Sequence, residues 1–186
     1  MLNSLITSRT RIKMLLKFFA NSHSSAYLRE MAEEFGESTN AIRVELNKLS
    51  DAGYLVSSSK GRTIEYKANT QHFLYQEIKK LVHKYLGIET IVENVINKVV
   101  ERLGKVHCAF IMGDYAHGRD TGIIDLVMVG DIDQGFLRRC VEKAESIINR
   151  KVRTLVLTEP EFEQNRKNLS PETAIWLWGD EPVPAT

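Results

Sequence analysis

Apolar residues recur through the first fifty positions at the spacing of helices. Ile12, Leu15, Leu16 and Phe19 fall at i, i+3, i+4 and i+7 behind Ser8, a residue suited to cap a helix N-terminus. Leu28, Met31, Ala32 and Phe35 repeat the pattern behind Ser25 and stop at Gly36. Ile42, Leu46 and Leu49 form a third stripe, opened by Ser38 and closed near Gly53. Only Gly36 and Glu37 separate the second stripe from the cap of the third, and so short a turn forces a sharp angle between two helices. The period then falls to two. Tyr54–Ser58 and Thr63–Lys67 flank the polar turn Ser59-Lys60-Gly61-Arg62, which predicts a β-hairpin with a basic tip.

Helical spacing returns over Gln71–Leu86, with Phe73, Ile78, Leu81, Val82 and Tyr85 as apolar positions, and Gly87 interrupts it. A strongly amphipathic helix follows, bearing Ile88, Ile91, Val92, Val95, Ile96, Val99, Val100 and Leu103 on one face and stopping at Gly104. Beyond it the texture is α/β. Val106–Met112 reads as a strand, Gly113–Gly122 as a polar turn and Ile123–Val129 as a nearly continuous apolar strand. Phe136–Ile148 reads as a helix and Thr154–Leu157 as a third strand. Thr158-Glu159-Pro160-Glu161 has the form of a capping box with proline at the first helical position, and Ala174–Trp178 is a final strand. The expected organisation is a first domain over 1–70, a connecting helix over 71–87 and a second domain over 88–186.

Composition adds bounds. With 43% hydrophobic and 26% charged residues the chain is an ordinary globular one, and no apolar run approaches the roughly 20 residues of a membrane-spanning helix. The first nineteen residues are interrupted by Arg9, Arg11, Lys13 and Lys17, so they are read as part of the fold, in a cytoplasmic protein without membrane contact. The two cysteines, Cys108 and Cys140, lie in apolar segments and are expected to be reduced structural thiols. The net charge of +1 conceals an asymmetry. Residues 1–85 carry 13 Lys/Arg against 8 Asp/Glu, and residues 86–186 carry 12 against 16. A basic first half is compatible with a nucleic-acid partner.

With Ile42, Leu46 and Leu49 turned inward, the opposite side of the third helix presents Asn40, Arg43 and Asn47 as one stripe. Asn pairs with adenine edges and Arg with guanine edges in a major groove. Ser38 and Thr39 stand at the helix N-terminus, where hydroxyl and N–H groups meet a phosphate, and Lys60 and Arg62 stand at the hairpin tip. These seven residues are the expected contacts to double-stranded DNA. A helix stripe of this kind is also an ordinary solvated face, and winged helices serve protein contacts too. The order of elements favours DNA.

Two resemblances sharpen the picture. Residues 8–68 resemble the winged-helix domain of ArsR-type transcription regulators, a resemblance carried by the stretch STNAIRVELNKLSDAGYLVSSSKGRTIEYKAN. The resemblance implies a third helix that enters the major groove, and a homodimer on a two-fold operator. The segment SSAYLREMAEEFG lacks the cysteine ligands of metal-sensing members, so no metal site is expected there. Phe110–Gly118 followed by Ile124–Gly130 resembles minimal nucleotidyltransferases of the polymerase β type, over roughly residues 88–180. That family needs paired carboxylates to hold two Mg²⁺ ions. Here Asp114 follows Gly113, His117 replaces an arginine, Ile123 replaces the first paired aspartate and Asp125 remains. The following strand, Arg153-Thr154-Leu155-Val156-Leu157, carries no acid.

The expectation is therefore an α+β protein, a winged helix-turn-helix joined to a nucleotidyltransferase-like domain with a mixed sheet. No catalytic residue, metal or cofactor is assigned. Gly113, Asp114, His117 and Asp125 are candidate ligand contacts for a small-molecule or nucleotide effector, and the second domain is expected to dimerise, to sense a ligand, or both. An active nucleotidyltransferase is the alternative. Asp125 lies in an apolar run and is expected to accept from backbone N–H groups of the Gly113–Gly118 turn, while Asp114 and Asp120 are expected as turn residues. Asp131-Ile132-Asp133 is expected to be a loop with a helix-capping aspartate, and Trp176 and Trp178 are expected to pack in a core or interface.

Overall fold

The computed structural model describes residues 6–103 and 105–180. The chain is α+β and divides into two compact units, Met1–Tyr85 and Leu86–Thr186.

In the first unit, α1 (Arg9–Phe19) is capped by the Ser8 hydroxyl, which accepts from the Arg11 N–H at 3.2 Å. It is buried on more sides than its stripe predicts, because Met14 and Phe18 are enclosed along with Ile12, Leu15, Leu16 and Phe19. Helix α2 (Leu28–Phe35) begins two residues later than the Ser25 cap predicts. Ser25–Tyr27 instead forms a strand, β1, and the residue before α2, Tyr27, makes no side-chain cap. Helix α2 ends at Gly36, whose φ of +67° reverses the chain without the penalty a Cβ would incur. The Ser38 hydroxyl accepts from the Ala41 N–H at 3.2 Å and opens α3 (Thr39–Asp51). Ile42, Leu46 and Leu49 are buried, as their spacing requires. Lys13 and the Thr10 hydroxyl both engage the Glu37 carboxylate, tying the α2–α3 turn to α1.

The hairpin is tighter than predicted. Strands β2 (Leu55–Lys60) and β3 (Thr63–Ala68) absorb Ser59 and Lys60, leaving Gly61-Arg62 as the turn. The sheet order is β1-β3-β2, antiparallel throughout, with Tyr27 opposite Glu65 and Ser58 opposite Glu65 on the other side. Helix α4 (Tyr75–Leu86) starts four residues later than expected; Phe73 precedes it and is 82% exposed, stacked on His72. Tyr75 and Val82 face the core, with Tyr75 against Phe19, whereas Leu81 is exposed.

The second unit opens with the helix α5 over 88–103, α-helical at Ile88–Ile91 and Asn97–Leu103 and π-helical at Val92–Ile96. Ile88, Ile91, Val95, Ile96 and Val99 are buried, while Val92 and Val100 are half-buried. The predicted stop at Gly104 and the side chain of Leu103 lie outside the described residues. Strands β4 (Val106–Met112), β5 (Ile123–Gly130), β6 (Lys151–Leu157) and β7 (Ile175–Trp178) form a mixed sheet in the order β6-β5-β4-β7. Only the β5–β6 pair is parallel, and α6 (Gln134–Ile148) provides its crossover. Asp133 caps α6, accepting from the Phe136 N–H at 3.0 Å. Helix α7 (Glu159–Leu169) opens on a capping box in which the Thr158 N–H and hydroxyl donate to Glu161, with Pro160 at the second helical position.

One face of this sheet, bearing Cys108, Phe110, Val127 and Val129, packs on Phe162 and Leu169 of α7. Trp176 stacks on Phe110 and donates its indole N–H to the Pro171 carbonyl at 2.8 Å, which accounts for its place in the core. Trp178 is 42% exposed. Both cysteines are buried free thiols, and burial pushes Cys108 up to about 11.

Candidate nucleic-acid interface

The exposed side of α3 carries Ser38, Thr39, Asn40, Arg43, Val44, Asn47 and Lys48. Burial of Ile42, Leu46 and Leu49 fixes the rotation of the helix, so Arg43 and Asn47 point away from the core, one turn apart. Glu45 is the exception among the polar residues. It is buried against α1, where its carboxylate accepts from Arg11 at 2.8 Å and Lys48 at 3.3 Å. Burial raises its pKa, but these two cations outweigh that, and the group is held below the usual glutamate range.

Beside α3 lies a groove of about 660 Å³. Arg43 and Asn47 line it from α3, Arg62, Ile64 and Tyr66 from the hairpin, and Arg29 from the first turn of α2. No carboxylate lines it, and among the described residues none of the three arginines has an acidic partner. The other cations of this unit are largely spent on the fold: Lys13 on Glu37, Lys17 on Glu34, Lys67 on Glu65.

The structure sorts the two cations predicted at the hairpin tip. Arg62 joins Arg43 and Asn47 in the groove. Lys60 lies on the opposite face of the hairpin, 3.6 Å from Glu65, because the two-residue turn places it in register with Thr63 and on the side of Glu65. Ser38, Thr39 and Asn40 lie on α3 but do not line the groove. Arg29 escapes a reading of the third helix and hairpin alone, since the β1 register and the α2–α3 turn bring it there.

In the second unit, Asp125 sits in one row with Met112 and Arg153 across β4, β5 and β6. The expected backbone partners are replaced by a bidentate ion pair: Arg153 donates from Nε at 2.6 Å and from Nη2 at 2.9 Å. The parallel β5–β6 register delivers that guanidinium, and the pair raises the Arg153 pKa. Gly113 has φ +69°, and a Cβ there would come within 3.0 Å of the Asp125 carboxylate. Asp114 pairs with Arg119 at 2.7 Å, and the His117 ring Nδ1 lies 2.8 Å from the Gly113 carbonyl. A small cavity of about 180 Å³ lies beside Gly113 and His117, under the end of α7. Asp120 has partners of its own. It accepts from the Tyr115 hydroxyl and from Arg150, which holds it bidentately at 2.7 and 3.1 Å. Among the described residues no group of three or more His, Cys, Asp or Glu is arranged to hold a metal ion, and no helix is long and apolar enough to cross a membrane. No family model and no curated protein matches this chain.

Proposed function

We propose that the chain is a sequence-specific DNA-binding transcription regulator in which α2, α3 and the β2–β3 hairpin act as a winged helix-turn-helix. The observation that carries the reading is the outward stripe of α3. Asn40, Arg43 and Asn47 are exposed while the opposite side of the same helix is fully enclosed. An exposed helix bearing Asn and Arg, beside a basic hairpin, has the shape and chemistry of a major-groove reader. A homodimer follows from this reading, since two-fold operators mirror two-fold proteins.

The second unit is assigned to dimerisation or effector sensing, in keeping with its resemblance to nucleotidyltransferases and its departures from them. A two-metal mechanism requires several carboxylates with free oxygens. Both oxygens of Asp125 are engaged by Arg153, and its register partner on β6 is that arginine.

Selection of bound fragments from random duplex DNA by the full chain tests the reading, with a two-fold motif as the expected result. Arg43→Ala should then weaken binding to the selected site by about 1–3 kcal/mol and relax specificity at one base pair. Unchanged affinity and specificity in Arg43→Ala would remove α3 from the interface. Nucleotide transfer to a cellular acceptor, abolished by Asp125→Ala, would replace the regulator by an enzyme.

A further inference from the structure

We infer that the groove between α3 and the hairpin holds one sugar–phosphate strand of the duplex, with Arg29 as its phosphate clamp. This rests on the DNA-binding reading above and adds the path of the strand to it.

In duplex DNA the major groove and the neighbouring minor groove are separated by one backbone strand. A helix seated in the first and a hairpin tip reaching the second must straddle that strand, so it runs through the hollow between them. The hollow is built for that occupant. Three arginines line it from three different elements, Arg29 from α2, Arg43 from α3 and Arg62 from the turn. No acid lines it. Its wall includes Ile64, which is half exposed in the free chain and suited to the apolar face of a deoxyribose. The mixture of cations and apolar wall matches the alternation of phosphate and sugar along a strand.

Arg29 is singled out by its position. It is the second residue of α2, where a cation opposes the positive end of the helix dipole. It has no acidic partner among the described residues to offset that. Its placement therefore does nothing for the helix, whereas it suits a negative charge arriving from outside. Arg43 and Asn47 remain the base-reading residues, and Arg29 acts through a phosphate without regard to sequence.

The test uses the full chain and its selected duplex, titrated between 50 and 200 mM salt with the native protein, Arg29→Ala and Arg29→Lys. Loss of one phosphate contact should make the log–log salt slope of Arg29→Ala shallower by about 0.9, so its deficit against the native protein shrinks about 3–4-fold across that range. The loss should be equal on selected and random duplexes, and Arg29→Lys should restore the slope. One methylphosphonate, scanned along the strand between the two grooves, should weaken the native protein at a position where Arg29→Ala is indifferent. An unchanged slope in Arg29→Ala, or a loss confined to the selected sequence, overturns the clamp and leaves the DNA reading standing. Absence of salt-dependent duplex binding by the native protein overturns both.

Discussion

Tyr115 is fully enclosed, and its hydroxyl donates to Asp120, whose carboxylate is also gripped by Arg150. The arrangement joins the Gly113–Gly122 turn to the residue just past α6 and leaves both charged groups largely shielded, at 19% and 15% side-chain exposure. Burial raises the Tyr115 pKa, and Asp120 adds to the effect, so the phenol stays protonated and serves as a donor. Removing the guanidinium strands a shielded carboxylate. Arg150→Ala should cost about 2–3 kcal/mol, read as a lowered urea midpoint, and Asp120→Asn in the same background should recover part of it. Equal losses in the single and double variants would show that the ion pair is not the source. This residue-level network was illegible in the chain, as was the pairing of Asp125 with Arg153, because both arginines arrive through the β5–α6–β6 crossover from 28 to 30 positions away. Arg43 and Asn47 were legible, because a helix fixes the face of each residue from its neighbours alone.

The turn between α2 and α3 decides how α3 is presented. Gly36 takes φ +67°, and a Cβ there would meet nothing within 4 Å, so the cost of a side chain is conformational alone. Gly36→Ala should therefore destabilise the first unit by about 1 kcal/mol, and Gly36→Asn by less, since Asn tolerates the left-handed region. Chemical denaturation followed by circular dichroism checks the order; an alanine variant as stable as the native chain would show that the turn relaxes. Elements with their own periodicity and caps were readable: α1, α3 and α7 begin where Ser8, Ser38 and Thr158 place them, whereas α6 begins at Gln134, behind Asp133 and two residues before the expected Phe136. Strand β1 was not. Three residues are too few to display a period, and Ser25–Tyr27 becomes a strand only because Glu65–Lys67 pairs with it. Serine at position 25 looked like a cap for the same reason that it fits a strand edge: nothing local chooses between the two.

At the scale of the molecule, both units lean on carboxylates whose charge the fold protects. Glu45 holds α3 against α1 in the first unit, and Asp120 anchors the turn in the second. For each, burial works against the charged form, but the neighbouring arginines outweigh it, and the net shift is downward. A carboxylate with a lower pKa in the folded chain binds protons less readily than the unfolded chain does. Its contribution is thus whole above the unfolded value, near pH 4, and is lost progressively as the pH falls through the folded value. Stability should accordingly hold on the neutral side and decline below about pH 4. The two units can be followed separately, because both tryptophans, Trp176 and Trp178, lie on β7 of the second. Asp120→Asn should flatten the acid dependence of the tryptophan-fluorescence midpoint, since its side chain no longer titrates. Glu45→Gln should leave the fluorescence midpoint's acid dependence unchanged and flatten that part of the circular-dichroism transition which the fluorescence does not follow. A fluorescence midpoint that follows Glu45 instead would mean that the division at Tyr85 does not separate two cooperative units, and that acid unfolds the chain as one.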